Sequence, residues 1–287
     1  MFLLHFSYKN ILYLLSYILT TGDFMKLFII KKRTLLIVNL IVILLSVSLL
    51  YFTIKSVPTS AVELTCDAII SDDFKNKVQT LAKGNEKIAY LTFDDGPNPS
   101  ITPKVLDILQ KEDIKATFFV IGKNVDSYPD IVKRAYEEGH YIANHGYDHN
   151  NNHLYKNNES FINEVKNTDI AIGKAIGIEN YCAHVFRFPN GFMSPSNKSK
   201  KKEATLLLSQ MNYTYIDWNC LNNDSVKKYS SSQLLNNLKK SSKNKNTLVI
   251  LMHDTKDVSN SSLVLEDSIK YLKSQGYTFQ NFYDLIG

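Results

Sequence analysis

The sequence predicts an α/β protein whose parallel β-strands form an open sheet or close into a barrel. From residue 88 onward, short runs rich in β-branched and aromatic residues alternate with amphipathic segments of helical length. This alternation is typical of parallel sheets with crossover helices. About seven repeats fill the last 200 or so residues, which favours a barrel-like closure. Several strands also end in polar or charged residues, as the strands of α/β enzymes do.

The expected elements follow the hydrophobic pattern along the chain. Strands are expected at 88–93, 116–121, 141–143, 185–188, 213–218, 247–252 and 277–282. Helices are expected at 102–111, 129–138, 159–176, 196–211, 231–241 and 263–274. Gly139 and Gly177 directly follow two of these helices, where glycine commonly ends a helix in a left-handed conformation.

The N-terminal part of the chain predicts a membrane anchor. Residues 35–54 are almost uninterruptedly apolar, and as a helix they just span a bilayer core of about 30 Å. Basic residues at 26–33 precede the run, so the positive-inside rule places residues 1–34 in the cytoplasm and the rest outside. A cleaved signal peptide is the alternative, although the run is long for one and no clear cleavage site follows it closely. Met25, before the basic cluster, is an alternative start of translation.

The part of the chain after the anchor carries no excess charge. The net charge of +5 comes from the first 55 residues, so the remainder has no positive field that would attract nucleic acid. Residues 55–86 are polar with a weak helical pattern around 74–81, and we interpret them as a stalk or as the first cover of a domain spanning 87–287. No feature indicates an obligate protein partner.

The chain has three cysteines, Cys66, Cys182 and Cys220. The odd number argues against a disulfide framework, and no Cys-x-x-Cys spacing indicates a thiolate zinc site. Small buried side chains are the expected role, with a Cys182–Cys220 bridge as the alternative.

Two adjacent carboxylates follow the first expected strand. The segment Ala89-Tyr-Leu-Thr-Phe-Asp-Asp-Gly-Pro97 changes abruptly from apolar residues to Asp94, Asp95 and a Gly-Pro turn. The backbone bends at a strand end, so both side chains can share one pocket, where they repel unless a cation or a proton neutralises one. The pair therefore predicts one metal ligand beside one base, although Asp-Asp-Gly-Pro alone is also typical of a turn that caps the next helix.

Histidines follow two other strands. His145 and His149 have the i, i+4 spacing that places two imidazoles on one side of a helical turn. With a carboxylate such as Asp95 they would form a three-ligand metal site open to water and substrate. His153 extends the spacing and leaves the ligand pair ambiguous. His253 has no histidine nearby in sequence, which suits a general acid or a structural histidine at a strand end.

Five short motifs together resemble those of the polysaccharide deacetylases, the NodB-like group of carbohydrate esterases. The motifs are Thr92-Phe-Asp-Asp-Gly-Pro97, His145-Gly-Tyr-Asp-His149, Arg187-Phe-Pro-Asn-Gly191, Asp217-Trp218 and Leu251-Met-His253. Each is short, but their order and spacing are specific, and the resemblance extends from residue 87 to the C-terminus. It implies a distorted (β/α)7-type barrel, here preceded by the N-terminal transmembrane helix.

The resemblance also implies catalytic roles. Asp94 would be the general base, positioned and tuned by Arg187. His253 would be the general acid, tuned by Asp217. Amide hydrolysis needs such a pair, because an activated water must attack and the leaving amine must gain a proton.

A divalent metal ion is implied in the same way, with zinc as the expected ion and cobalt as an alternative. Its ligands would be Asp95, His145 and His149. Trp218 and Leu251 would shape the pocket for the acetyl methyl group, and Asn190 would contribute to substrate binding.

Two positions depart from the family pattern. Gly146 stands where the family often has Ser or Thr, so a hydroxyl beside the first metal histidine is missing and the ligand loop is expected to be looser. Asn190 stands where an aromatic residue or glycine is common. If the backbone N–H of this residue stabilises the oxyanion, the change of side chain affects the fit of the substrate more than the catalytic step.

The leading hypothesis is a metal-dependent N-deacetylase of peptidoglycan N-acetylglucosamine, held outside the cell membrane and facing the wall. A deacetylase or O-acetyl esterase acting on another glycan is the second hypothesis. A non-catalytic glycan-binding protein on the same fold is the third, and it is disfavoured because such proteins usually lose a ligand or the acid–base pair.

Overall fold

A computed structural model describes Cys66, residues 70–255 and residues 261–286. The expected anchor at 35–54 and the residues before it lie outside this range. Among the described residues, no helix is both long and apolar enough to cross a membrane.

Eight parallel strands form one sheet. They are β1 (Ile88–Asp94), β2 (Thr117–Val120), β3 (Tyr141–Asn144), β4 (Val185–Phe186), β5 (Thr214–Tyr215), β6 (Cys220–Leu221), β7 (Leu248–His253) and β8 (Thr278–Gln280). The spatial order is β5-β4-β3-β2-β1-β7-β6, and β8 pairs with the first half of β1. This is the expected parallel α/β architecture, arranged as a half-barrel in which β5 and β6 do not pair.

Nine α-helices connect the strands or cover the sheet within the described ranges. They are α1 (Asp72–Thr80), α2 (Thr102–Glu112), α3 (Gly122–Ser127), α4 (Pro129–Glu137), α5 (Asn151–Leu154), α6 (Asn158–Ile176), α7 (Lys198–Gln210), α8 (Ser231–Ser242) and α9 (Ser262–Ser274). The six helices expected from the pattern are all present. α6 ends at Gly177, which has φ 77°, in the left-handed conformation that glycine adopts without steric cost.

The expected strand at 213–218 is shorter than its apolar pattern suggests. Only Thr214–Tyr215 pairs with β4, and β6 follows as an additional strand that the sequence did not indicate. The carbonyl groups of Ile216 and Asp217 accept hydrogen bonds from the side chain of Arg187 instead. The side chain of Arg187 thus satisfies carbonyl groups that would bond to a neighbouring strand if β5 were longer.

Residues 70–83 cover the domain. Phe74 and Val78 of α1 are buried in the hydrophobic core. The amide of Gln79 donates to Thr214 in β5, and the carbonyl of Ala82 accepts from Asn219, which precedes β6. The segment therefore spans the gap between the two strands that leave the sheet open.

The expected role of the cysteines is wrong in one respect. Cys182 forms a disulfide with Cys66, across 116 positions of sequence, and Cys220 is a buried free thiol. The local patterns around the cysteines carry no signal for this pairing, because the two residues are 116 positions apart in sequence. The bond ties Cys66 to the loop after α6.

We expect loss of this disulfide to destabilise the domain. A disulfide typically contributes about 2–4 kcal/mol to stability, so Cys66→Ser should lower the melting temperature measured by calorimetry. A reductant should lower the wild-type melting temperature to a similar value and leave the variant unchanged. A wild-type melting temperature that does not respond to reductant would contradict the expectation.

Candidate active site

The polar residues at the carboxyl ends of the strands meet at one edge of the sheet. Asp94 ends β1 and lies opposite His253, the last residue of β7, in the parallel register. His145 directly follows β3, and Arg187 directly follows β4. The convergence expected from the alternating pattern is therefore confirmed for these four residues.

Asp95, His145 and His149 form a group suited to a metal ion. Oδ1 of Asp95 lies 3.4 Å from Nε2 of His145 and 3.5 Å from Nε2 of His149. Asp95 has φ 75°, and this left-handed turn brings its carboxylate to the same pocket as that of Asp94. Two imidazoles and one carboxylate form the open three-ligand set typical of catalytic zinc.

The surroundings of this group fit a cation. Oδ1 of Asp95 is buried without a hydrogen-bond partner, which is costly unless a charge satisfies it. Nδ1 of His145 bonds to the carbonyl of Arg187 at 2.8 Å, so its Nε2 is the nitrogen available to a metal. A second group, Cys66, Asp169 and Cys182, contains the disulfide and is no metal site.

His153 does not belong to the metal group. Its Nδ1 lies 2.6 Å from Oδ2 of Asp148, and its side chain is 63% exposed. The i, i+4 spacing continues in the sequence to His153, but this histidine lies on the short helix α5 and contacts Asp148 instead of Asp95. The pair His145 and His149 is thus the one that the structure brings together.

Asp94 is held by a buried guanidinium. Nη1 of Arg187 donates to Oδ1 of Asp94 at 2.8 Å and to the hydroxyl of Thr92 at 2.7 Å. Oδ2 of Asp94 lies 3.9 Å from Nε2 of His145. Arg187 is fully buried and stacks on the ring of Phe119, with 3.9 Å between Cζ and the ring centroid. The arginine therefore fixes this carboxylate beside the metal ligands.

The expected partner of His253 is wrong. Its Nδ1 lies 2.7 Å from Oδ1 of Asp224, and its backbone N–H donates to Oδ2 of the same carboxylate. The carboxylate of Asp217 instead accepts hydrogen bonds from the backbone N–H groups of Phe192 and Met193. The sequence pattern does not predict β6, which lies between Asp217-Trp218 and Asp224.

The electrostatic environment gives these groups distinct protonation behaviour. Burial alone would lower the pKa of His253, but its hydrogen bond to Asp224 and the charges of Asp224, Asp94 and Asp95 raise the pKa to about 9. Burial would raise the pKa of Asp95, but the nearby imidazole of His145, with further contributions from His149 and His253, holds the pKa well below its usual value. His253 is thus a proton donor at neutral pH, and Asp95 is an anion.

The three expected substrate-binding residues lie around the same edge. Leu251 is buried on β7, two residues before His253 and hence on the same face of the strand. The ring of Trp218 lies 5.7 Å from Cζ of Arg187 and so close to Gly191 that an added Cβ would lie 2.8 Å from it. Asn190 is exposed with φ 64°. Their roles in substrate binding stay predictions.

A residue that the sequence did not indicate holds the loop between the two metal histidines. Oε2 of Glu164, on α6, accepts hydrogen bonds from the backbone N–H groups of Tyr147 at 2.6 Å and Asp148 at 3.2 Å. Gly146 has φ 83°, and a Cβ added at this residue would lie 3.6 Å from this oxygen. A carboxylate thus fixes the ligand loop at the position where the sequence lacks the expected hydroxyl.

Comparison with known proteins identifies similar chains. The family model for polysaccharide deacetylase matches residues 81–216. A peptidoglycan-N-acetylglucosamine deacetylase of Bacillus cereus is 36% identical over 203 residues, which cover 69% of this chain and 70% of the relative. A Streptococcus mutans CE4 esterase superposes with a TM-score of 0.65 at 30% identity, over 74% of this chain and 91% of the other. The catalytic domain of a peptidoglycan N-acetylglucosamine deacetylase from Eubacterium rectale gives a TM-score of 0.63 at 29% identity, over 69% and 89%.

Substitution of the three grouped residues tests the metal site. Asp95→Ala, His145→Ala and His149→Ala should each lose bound metal, because a two-ligand site holds a divalent ion poorly. His153→Ala should retain it. Elemental analysis of the purified variants decides the matter, and metal loss in His153→Ala with retention in His149→Ala would show that the wrong histidines have been chosen.

Glu164→Ala should weaken zinc binding without removing a ligand. Groups that orient metal ligands typically contribute 10–100-fold to metal affinity, and we expect roughly that loss. Competition with a chromophoric chelator measures the affinity. Glu159→Ala removes an exposed carboxylate from the same helix and is the matched control. Equal affinities in the two variants would mean that Glu164 does not fix the ligand loop.

Proposed function

Because the chain belongs to the polysaccharide deacetylase family, we propose that it hydrolyses the N-acetyl groups of peptidoglycan N-acetylglucosamine with a divalent metal ion and releases acetate. One observation carries the proposal: a carboxylate paired with a buried arginine and an imidazole paired with a buried carboxylate flank one three-ligand group. The relatives named above include peptidoglycan N-acetylglucosamine deacetylases, which supports this choice of substrate.

Asp94 is the general base of the proposed reaction. Its Oδ1 is occupied by Arg187, while Oδ2 faces the metal group and is the atom that would take a proton from the attacking water. The guanidinium keeps the carboxylate stationary, so the proton is transferred to an atom in a fixed position. An ion held by Asp95, His145 and His149 would polarise the acetyl carbonyl and stabilise the charge that develops on its oxygen.

His253 is the general acid. With Nδ1 bonded to Asp224, its Nε2 is the nitrogen that would donate a proton to the leaving amine. An amide nitrogen leaves as an amine only if it gains a proton, whereas an alcohol leaves from an ester more readily. The acid with a raised pKa therefore favours an N-deacetylase over an O-acetyl esterase.

We also propose that the domain lies outside the cytoplasmic membrane. Residues 35–54 have the composition of a membrane anchor, and disulfides such as Cys66–Cys182 persist in oxidising, extracytoplasmic environments. This location would place the active site next to the wall polymer.

Acetate release from purified wall glycan tests the activity. The wild-type domain should release acetate and expose free amines on N-acetylglucosamine, and Asp94→Asn should lower turnover by roughly 10²–10⁴-fold, as expected for loss of a positioned base. Metal content measured on the same samples should be unchanged in this variant. Acetate release from O-acetylated glycan alone would show an esterase, and no release from any acetylated glycan would leave a binding protein.

The pH dependence of kcat distinguishes Asp224 from Asp217 as the partner of His253. Deprotonation of His253 should limit kcat at alkaline pH. Asp224→Asn removes the charge that raises the pKa of His253 to about 9, so the alkaline limb should move to lower pH. Asp217→Asn should leave that limb in place, since the carboxylate of Asp217 accepts from the backbone N–H groups of Phe192 and Met193 instead of contacting His253. A shift in the second variant and not in the first would restore Asp217 as the partner of the acid.

Protease accessibility tests the location. Protease added to cells whose outer layers have been opened should digest the domain, while a cytoplasmic marker protein stays intact. A domain that resists until the membrane itself is lysed would refute the proposed orientation.

A further inference from the structure

A short loop beside the active site is held from one side by a carboxylate. The loop comprises residues 190–194 and follows Arg187 within the third motif. Oδ1 of Asp217 accepts a hydrogen bond from the backbone N–H of Phe192 at 2.7 Å, and Oδ2 accepts from that of Met193 at 2.9 Å. Both oxygens of one side chain are thus committed to two consecutive amides of the loop.

A buried lysine holds the same loop by its carbonyl groups. Nζ of Lys201, on α7, donates to the carbonyl of Gly191 at 2.6 Å and to that of Ser194 at 3.2 Å. The side chain is 1% exposed, and no carboxylate in the described part of the chain lies within ion-pair distance of it. A buried ammonium is costly unless its hydrogen bonds are satisfied, so its position is dictated by these two carbonyl groups.

The loop is joined to the catalytic residues through Asp217. Arg187, which holds Asp94, also donates to the backbone carbonyl of Asp217 at 3.2 Å. Gly191 lies against the ring of Trp218. A displacement of the loop would therefore change the surface around Trp218, while Asp94 and His253 keep their own partners.

We propose that Asp217 and Lys201 are positioning residues that fix the 190–194 loop as one wall of the glycan-binding surface. The inference deepens the proposed function and rests on it. Four backbone groups of a five-residue loop are bonded by two side chains of opposite charge, so the loop is ordered before substrate arrives. A preordered wall lowers the entropy cost of substrate binding. Loss of this order should therefore raise KM.

The test compares Asp217→Asn, Lys201→Met and the double variant with wild type. Methionine matches the length of the lysine side chain without its charge, so it fills the buried space. Lys200→Met is the matched control, since Lys200 is exposed on the same helix turn and donates to Tyr155 outside the loop. The measurements are amide hydrogen exchange of the peptide that contains residues 190–194, and kcat and KM on one acetylated oligosaccharide across pH.

Each single variant should speed amide exchange in the loop peptide by roughly tenfold or more, the size expected when a hydrogen bond to a charged group is lost. KM should rise by a similar factor while kcat stays within about threefold, which indicates loss of ground-state binding. The alkaline limb of the pH profile should not move. The two substitutions should be less than additive, since either one frees the loop.

Unchanged exchange in both variants would overturn the proposal, as would equal effects in Lys200→Met. A shifted alkaline limb would also overturn it, because Asp217 would then act through the acid. Amide exchange requires no turnover, so the loop is tested even if wild type releases no acetate, and that result would refute the proposed function alone.

Discussion

The pairing of the buried Arg187 guanidinium with Asp94 is the interaction on which the rest of the site depends. A buried charge costs several kcal/mol unless it is paired and hydrogen-bonded. Asp94 supplies the opposite charge, and Thr92 and two carbonyl groups after β5 accept three further N–H groups. The carbonyl of Arg187 in turn bonds to His145. One residue thus connects β1, β4, β5 and the first metal histidine, and no part of this set can move without unpairing a buried charge.

The sequence predicts those parts of the site in which a functional side chain lies at the end of a recognisable apolar strand. Asp94 and Asp95 follow a continuous apolar strand, so both the end of β1 and the position of the carboxylates could be read locally. The same holds for His253 at the end of β7, the most apolar of the expected strands. Parallel strands align their carboxyl ends, and this rule predicts that Asp94 and His253, 159 positions apart in sequence, lie at one edge.

The residues that were missed or misassigned depend on contacts that no local pattern records. Asp224 follows β6, whose two residues are too few for a periodic signal, and it reaches His253 only because β6 pairs with β7. Asp217 stands beside a tryptophan at a strand end, which resembles a catalytic position, yet its carboxylate bonds to backbone amides. Cys66 pairs with Cys182, which is 116 positions away in sequence. In each case the tertiary arrangement decides among residue types that the sequence makes equally suitable.

A common physical reason explains why charged side chains recur next to the catalytic loops. Residues that leave a strand lose their ladder partners, and buried or half-buried backbone groups must bond elsewhere. Glu164 does this for the metal-histidine loop, Asp217 and Lys201 do it for the 190–194 loop, and Asp224 takes the backbone N–H of His253 as well as its ring. Ionised groups form stronger hydrogen bonds than neutral ones. The irregular segments that contain the catalytic residues are thereby fixed by hydrogen bonds, as the strands are, while the catalytic side chains stay available to the substrate.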